Sequence, residues 1–290
     1  MEYHERSMRE YATALSQKVQ QEYHISEEYY ADHNVKRGLR NDDGTGVLVG
    51  VTRVGSVQGY VVDDGGRVPA PGQLYYRGIA LTDIVENHKE NKSFGFEEVA
   101  YLLLFGYLPT KNELQYFNRM LYKAKLLPNG FTEDMILRSP SRDIMNKLAR
   151  STLALYSYDD NPDDVSIANL LRQSIELIGS YPSIVANAYA VKRRYIDGES
   201  LYLHTPQEDL STAENFLMMV RQDKQYTEEE ARLLDMMLMV HAEHGGGNNS
   251  TFVCRALSST GTDTYSAIAG AVGALKGPLH GGANAKVMEM

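Results

Sequence analysis

The chain has 290 residues, a formal net charge of −9 and 43% hydrophobic residues, an ordinary composition for a globular protein. The acidic balance argues against a general surface for nucleic acid or anionic membranes, so we expect neither partner. One cysteine, Cys254, excludes an internal disulfide. The N-terminal residues lack the apolar core of a secretory signal, and no apolar run approaches the roughly 18 residues of a membrane span. We therefore expect a soluble, cytoplasmic protein.

The N-terminal part of the chain predicts a charged helix followed by a small β element. Residues 1–35 have helical character, and Ser26 is the expected helix cap. Segments rich in β-branched residues then alternate with turn residues, which predicts a hairpin or ribbon rather than a large sheet. The predicted strands are 47–54, 57–62 and 74–77, and the predicted turns are 37–46 and 69–73.

From Leu81 onward the sequence predicts helices almost throughout. Capping boxes mark three helix starts, because Ser or Thr is followed three residues later by Glu. Prolines separate the apolar-periodic segments. We therefore expect an all-α fold of many helices with a minor β ribbon at 47–77. The capping pairs are Thr110–Glu113, Ser211–Glu214 and Thr227–Glu230, and the separating prolines are Pro109, Pro128, Pro140, Pro162 and Pro182.

Two predicted helices near the C-terminal end are the clearest. In helix 228–244, apolar residues recur on one face with a 3.6-residue period, which predicts that this face is buried. Helix 263–276 is rich in small residues that let a neighbouring helix approach closely. The predicted face contains Leu233, Leu234, Met237, Leu238 and His241, and the small residues are Ala267, Gly270, Ala271 and Ala274.

Three histidines lie near the C-terminal end of the chain. His241 and His244 share a helix face, and we interpret His241 as a core histidine. For His244, a structural and a functional role stay equally open, because Gly245–Gly247 bring bare backbone close to it. His280 stands between Gly-Pro-Leu and Gly-Gly, and residues 283–290 predict a new helix. The positive end of the helix dipole disfavours the imidazolium form of a histidine beside a helix N-terminus. The neutral ring can donate a hydrogen bond to a carbonyl oxygen that gains charge. An ordinary turn between two helices is the alternative.

A zinc site is a further alternative, since two histidines at i and i+3 can bind zinc. Glu243 points away from the face of these histidines, and Cys254 has no CxxC partner. The sequence HAEH also lacks the spacing of HExxH. We therefore expect no metal.

The two histidine motifs together resemble the citrate synthase family. They stand in the family's order and at about its spacing, and the resemblance covers nearly all of 37–290. It is closest to the bacterial, dimer-forming branch of the family. The motifs are HAEHGGGNNSTF (241–252) and GPLHGGAN (277–284), and further similar stretches are YYRGIALTDI (75–84), FEEVAYLLLFGYLPT (96–110), LYSYDDNPDD (155–164) and DLSTAENFLMMV (209–220).

The resemblance implies an acyltransferase that condenses acetyl-CoA with oxaloacetate and then hydrolyses citryl-CoA. It implies that His280 donates a hydrogen bond or proton to the thioester carbonyl, that His244 binds oxaloacetate, and that Asn248 is a further substrate-binding residue. Asn248 and Ser250 match positions that hold the active-site loop and the catalytic imidazole, with Gly281 as a further supporting residue. Acetyl-CoA is then a cosubstrate, and no permanently bound cofactor is expected.

The resemblance also implies a homodimer with helices 228–244 and 263–276 at the interface. Arg37 or Arg40 corresponds to an arginine that reaches CoA in a partner subunit. Gly245 stands where many relatives have glutamate, so the network around the oxaloacetate-binding histidine is expected to differ here.

In this family GPLHGGAN marks the start of the small domain. We therefore expect residues 1–276 to correspond to the large domain and 277–290 to the start of a small domain, truncated with the C-terminal helices missing. The second catalytic histidine, the base aspartate and the carboxylate-binding arginines lie further on in the family. Because these groups act as a unit, we expect the polypeptide alone not to turn over at a useful rate.

Three other functions stay open at this point. The family includes 2-methylcitrate synthases, which use propionyl-CoA, and the acyl pocket is not readable from these residues. The helices also suit a non-catalytic scaffold or interaction protein. A helical metalloprotein that uses His241 and His244 is the third alternative.

Overall fold

The computed structural model describes residues 52–63 and 66–281, together with the single positions Glu28, Leu39 and Val47. The chain forms two compact units, Met1–Leu48 and Val49–Met290. All strands and helices named below belong to the second unit. The predicted helix over 1–35 with its Ser26 cap, the residues Arg37 and Arg40, and the predicted helix over 283–290 lie outside the described residues.

The described chain begins with a small antiparallel sheet and continues as helices, so the predicted all-α class with a minor β ribbon is confirmed. The sheet has the order β1-β2-β3. The strands are β1 (Gly55–Asp63), β2 (Gly66–Tyr76) and β3 (Ile79–Ala80). The helices are α1 (Leu81–Glu90), α2 (Phe96–Phe105), α3 (Lys111–Lys125), α4 (Ile144–Leu155), α5 (Ile167–Tyr195), α6 (Thr212–Val220), α7 (Glu228–His241), α8 (Asn249–Ser258) and α9 (Thr264–Lys276), with a π-helical segment at Thr132–Leu137 and a 3-10 turn at Tyr156–Tyr158.

The predicted strand boundaries are wrong. Residues 52–54 are not in a strand, and the predicted turn at 69–73 lies inside β2. The register explains how β2 accepts prolines, because Gln58 pairs with Gln73 whereas Tyr60 already pairs with Pro69. Pro71 lies among the extra residues of β2 at this register shift, and a bulge is a place where a strand tolerates a residue without an N–H donor.

The predicted capping boxes at the starts of α3, α6 and α7 are confirmed. The role predicted for Pro182 is wrong, because this proline lies inside the long helix α5. Proline removes one helical hydrogen bond, and packing of the flanking turns outweighs that loss. Ser183 and Ile184 next to it are buried, and Ser183 Oγ donates to the Lys125 carbonyl oxygen on α3 at 2.7 Å.

Two hydrophobic clusters matter for the arrangement described below. One joins the π-helical segment to α4, α5 and α9, and the other joins the sheet to α1, α2 and α7. Tyr76, at the end of β2, is fully buried in the second cluster. The first cluster contains Phe131, Ile136, Leu148, Leu155, Leu177, Ile184, Ala188, Val191, Tyr265 and Val272, and the second contains Tyr76, Ile84, Val99, Leu102 and Met239.

Helix α7 buries a different face from the one its apolar period predicted. Leu233 is 60% exposed and Met237 is 49% exposed, whereas Asp235 is only 2% exposed. The Asp235 carboxylate accepts hydrogen bonds from the N–H groups of Gly95 and Phe96 at the start of α2, at 2.7 and 3.2 Å. A carboxylate at a helix N-terminus satisfies N–H groups that have no partner within that helix. Burial raises the pKa of Asp235 to about 6.

The predicted close approach of a neighbouring helix to α9 is confirmed at Gly270. A β carbon at this position would lie 2.4 Å from Leu257 Cδ1 on α8. We expect Gly270→Val to reduce the free energy of unfolding by about 1 kcal/mol, because the Leu257 side chain must leave its packed position to make room for the added atoms. Gly273→Val is the matched control, since a β carbon there meets no described atom within 4 Å. Urea unfolding measures both, and equal stability of the two variants contradicts this prediction.

Candidate active site

The first turn of α8 and the end of α9 meet because these helices pack side by side as a hairpin. A β carbon at Gly270 would lie 2.4 Å from Leu257 Cδ1 and 3.6 Å from Val253 Cγ1, so α8 side chains pack directly over the backbone of α9. Asn248 caps α8, since its Oδ1 accepts a hydrogen bond from the Thr251 N–H at 2.8 Å. The Asn248 amide also donates to Thr251 Oγ1 at 2.8 Å. The cap fixes where α8 begins and therefore where Ser250 lies.

Ser250 and His280 are in direct contact across the hairpin, with 2.9 Å between Ser250 Oγ and His280 Nε2. His280 follows α9 in a tight turn, in which its N–H donates to the Gly277 carbonyl oxygen at 3.0 Å. The Gly281 N–H donates to the same oxygen at 2.8 Å. A β carbon at Gly281 would lie 1.8 Å from the Leu275 carbonyl oxygen, so the turn requires glycine there.

The contact with Ser250 determines what the His280 imidazole can do. When the serine hydroxyl donates to Nε2, the neutral ring carries its proton on Nδ1. The Nδ1–H of this tautomer is then the hydrogen-bond donor that the ring retains. A fixed N–H donor of this kind can stabilise negative charge that develops on a carbonyl oxygen.

His244 lies in the loop between α7 and α8 and is exposed. Among the residues that the structure describes, none forms a hydrogen bond with its imidazole. The interpretation of His241 as a core histidine is wrong, because its side chain is exposed at the end of α7. There His241 Nδ1 lies 2.7 Å from the Met237 carbonyl oxygen. Its hydrogen-bond partner therefore comes from its own helix rather than from a buried neighbour.

Sequence reasoning missed the contacts that hold the His244 loop. The Tyr76 hydroxyl lies 2.9 Å from the Met239 carbonyl oxygen and 3.0 Å from the Glu243 carbonyl oxygen. The Glu243 N–H also donates to Tyr76 Oη at 3.3 Å. The only sequence signal was that Tyr76 falls within YYRGIALTDI, one of the stretches that resemble the family.

The structure thus brings Asn248, Ser250, His280 and Gly281 together at one end of the hairpin and places His244 in the loop that leads to it. Across residues 52–63 and 66–281, no three His, Cys, Asp or Glu side chains are grouped as metal ligands. In the same part of the chain, no helix is both long and apolar enough to cross a lipid bilayer.

Comparison with known proteins identifies the family of the chain. The family described as "Citrate synthase, C-terminal domain" matches residues 43–290. The chain is 36% identical over 261 residues to the citrate synthase of Haloferax volcanii, covering 88% of this chain and 61% of that protein. It is 34% identical over 262 residues to 2-methylcitrate synthase 1 of Corynebacterium glutamicum, covering 89% of this chain and 61% of that protein.

A solved structure with a similar fold is citrate synthase from the thermophilic archaeon Thermoplasma acidophilum, in a ternary complex with carboxymethyl coenzyme A and oxaloacetate. Its TM-score is 0.66 at 26% identity, covering 82% of this chain and 56% of that one. The chain described here is a mostly helical protein of the citrate synthase family. It spans 61% of the length of the two curated relatives named above.

Proposed function

We propose that this chain supplies part of the active site of a citrate synthase-type acyltransferase, which condenses acetyl-CoA with oxaloacetate to form citrate in the tricarboxylic acid cycle. The observation that carries the proposal is the 2.9 Å contact between Ser250 Oγ and His280 Nε2. It joins the two histidine motifs of the sequence into one site. The ternary complex of the Thermoplasma acidophilum relative with a coenzyme A derivative and oxaloacetate supports both substrates.

In this proposal His280 donates its Nδ1 hydrogen to the thioester carbonyl oxygen, where charge develops when the methyl group loses a proton. Ser250 holds the ring in the tautomer that can donate. His244, exposed in its loop, donates a hydrogen bond to oxaloacetate. Acetyl-CoA enters as cosubstrate, and the chemistry requires no permanently bound cofactor.

Nuclear magnetic resonance of the histidine-labelled 290-residue chain tests the oxaloacetate site directly. We expect added oxaloacetate to shift the ring signal of His244. The ring of His88 is the internal control, because it is buried and bonded to Ser93 Oγ and Glu98 Oε1 at 2.8 and 3.1 Å. If no histidine responds, the binding proposal fails and a non-catalytic scaffold becomes the better explanation.

We further propose that the polypeptide 1–290 binds substrate without useful turnover when assayed alone. Proton abstraction next to a thioester requires a positioned base, and the resemblance places the base aspartate beyond the matched motifs. Residues that act as a unit lose activity together. Robust citrate formation by the purified polypeptide, measured by mass spectrometry, contradicts this expectation.

A propionyl-CoA reaction is the second candidate, because a relative named 2-methylcitrate synthase 1 is 34% identical over 89% of this chain. The two reactions differ by one methylene in the acyl pocket, which is worth about 1–3 kcal/mol in discrimination. Competition between acetyl-CoA and propionyl-CoA for the oxaloacetate complex separates them.

We also propose a cytoplasmic homodimer in which α7 and α9 contribute to the interface. Leu233, Met237 and Val240 form an exposed apolar stripe on α7, being 60%, 49% and 36% exposed. Covering such a stripe with a second copy removes apolar surface from water. In the same scheme residues 1–276 belong to the large domain and 277–290 begin the small domain. Sedimentation equilibrium of the chain measures its association state.

A further inference from the structure

The end of β2 carries a buried hydroxyl that contacts the backbone directly before His244. Tyr76 is 0% exposed, and its ring belongs to the cluster that also contains Met239. Its hydroxyl lies 2.9 and 3.0 Å from the carbonyl oxygens of Met239 and Glu243 and accepts the Glu243 N–H at 3.3 Å. A single side chain thus contacts three backbone groups where α7 ends.

The end of a helix leaves carbonyl groups short of intrahelical bonds. The Met239 carbonyl oxygen accepts the Ala242 N–H at 3.3 Å, and Glu243 lies beyond the last residue of α7. Left unpaired and buried, a carbonyl group costs about 1–3 kcal/mol. Burial raises the pKa of the Tyr76 hydroxyl, so it stays protonated and keeps its donor function. The hydroxyl carries one hydrogen, which it can donate to either the Met239 or the Glu243 carbonyl oxygen, and its own oxygen accepts the Glu243 N–H. It therefore adds a hydrogen-bond partner from another element where the helix ends.

The first strand contacts the same loop from its own side. A β carbon at Gly55 would lie 2.6 Å from Glu243 Cγ, so the strand backbone and this side chain touch directly. Glu243 Oε1 in turn accepts the Gly245 N–H at 2.5 Å. Gly245 has a φ of +91°, and a β carbon there would lie 3.3 Å from Val57 Cγ2. The residues on both sides of His244 are thus held against the sheet.

Helix α7 cannot easily shift to relieve these contacts. The Asp235 carboxylate of α7 accepts hydrogen bonds from the N–H groups of Gly95 and Phe96 at the start of α2, at 2.7 and 3.2 Å. A β carbon at Gly95 would lie 2.4 Å from Met239 Sδ, so the two helices are also in tight contact there. The position of the His244 loop therefore follows from the sheet and α2 rather than from the loop sequence alone.

We propose that Tyr76 is a positioning residue for the oxaloacetate site: its hydroxyl fixes the backbone of Glu243 and thereby the direction of the His244 imidazole. The substrate part of this inference rests on the proposed function, in which His244 binds oxaloacetate. The positioning part concerns the ligand-free chain and stands without it. Tyr76 itself touches no substrate in this arrangement.

The Tyr76→Phe variant removes only the hydroxyl, and Tyr75→Phe is its matched control. Tyr75 precedes Tyr76 on the same strand, and its hydroxyl donates to Gln73 Oε1 at 2.7 Å on the exposed side. We expect Tyr76→Phe to speed hydrogen exchange of the Glu243 and Gly245 amides by about tenfold, which corresponds to one lost hydrogen bond. The exchange of α5 amides stays unchanged if the effect is local, which distinguishes positioning from general destabilisation.

The ring signal of His244 gives the spectroscopic test of positioning. We expect it to shift in ligand-free Tyr76→Phe, while the signal of His241 stays in place. A second variant, Gly55→Ala, places a β carbon of the strand against the Glu243 side chain. Gly59→Ala is its control, because a β carbon there meets no described atom within 4 Å. Gly55→Ala is expected to move the His244 signal as well, which keeps the test available if Tyr76→Phe unfolds.

The failure of this proposal is distinguishable from the failure of the proposed function. Unchanged amide exchange and an unchanged His244 signal in both Tyr76→Phe and Gly55→Ala overturn positioning. If the variants shift the His244 signal but oxaloacetate leaves the wild-type signal unmoved, positioning holds and the substrate assignment fails. If oxaloacetate binds the wild-type chain, we expect Tyr76→Phe to weaken that binding by about threefold to tenfold.

Discussion

Asp159→Ala is expected to reduce the free energy of unfolding by about 2 kcal/mol, since it removes a buried carboxylate that accepts hydrogen bonds from several side chains, among them the partly exposed Arg172. The Asp159 side chain is 4% exposed and lies 2.7 Å from Arg172 Nη2. It also accepts hydrogen bonds from Gln173 Nε2 at 2.9 Å and from the Tyr265 hydroxyl at 2.7 Å. This carboxylate therefore links the loop after α4 to α5 and α9, and α9 carries the turn with His280.

The pH dependence of this effect has a definite sign. Burial alone would raise the pKa of Asp159, but the hydrogen bonds from Arg172 and its other donors hold the pKa of this carboxyl well below its usual range. A carboxyl with a lowered pKa in the folded state stabilises the protein above its unfolded pKa, about 3.9. That stability is lost as the pH falls through the folded value. The difference between wild type and Asp159→Ala should be constant above about pH 5 and should shrink below it.

Urea unfolding from pH 3 to pH 7 measures the predicted difference, and Asp160→Ala is the control. Asp160 is the next residue and is exposed, so its removal should change stability by less than about 0.5 kcal/mol. Equal stability of the two variants, or a difference between wild type and Asp159→Ala that grows as the pH falls, would show that the Asp159 network does not stabilise the fold.

His244→Ala is expected to weaken oxaloacetate binding by about tenfold or more, because a hydrogen bond to a charged ligand contributes about 1.5–3 kcal/mol. The chain contains no tryptophan, so isothermal titration calorimetry is the direct measurement. His241→Ala is the matched control. His241 is exposed on the preceding helix and its Nδ1 is already 2.7 Å from the Met237 carbonyl oxygen.

The two histidine variants make the oxaloacetate prediction specific. Binding that is equally reduced in both indicates a change in the loop rather than loss of a ligand contact. Binding that survives His244→Ala unchanged contradicts the proposed role of His244. Neither variant should alter unfolding by more than about 0.5 kcal/mol, since both side chains are exposed.

The features that sequence determined by itself are local ones. The capping boxes at Thr110, Ser211 and Thr227 form as predicted, because a cap needs only residues within the first turn of its helix. The glycine requirement at 281 likewise depends on a turn that closes within a few residues. The family was recognisable for a similar reason, since its two histidine motifs are short and continuous.

Other features depended on residues far away in the chain, and here prediction from sequence failed. The apolar period of α7 indicated which side chains are apolar, but not which face the rest of the fold would cover. The N-terminus of α2 determines which face of α7 is buried. Its first N–H groups have no partner within α2 and donate to the Asp235 carboxylate instead. Pro182 stays inside α5 because the packing of its neighbours outweighs one missing hydrogen bond.

The site divides in the same way. The sequence, through its resemblance to the family, predicted His244, Asn248, Ser250 and His280 as candidate residues of the site. Only the tertiary structure showed that Ser250 meets His280, and that Tyr76 reaches the backbone before His244. The physical reason is that hydrogen bonds between distant segments leave no periodic trace in a sequence, since each depends on where the packed helices and sheet place two atoms.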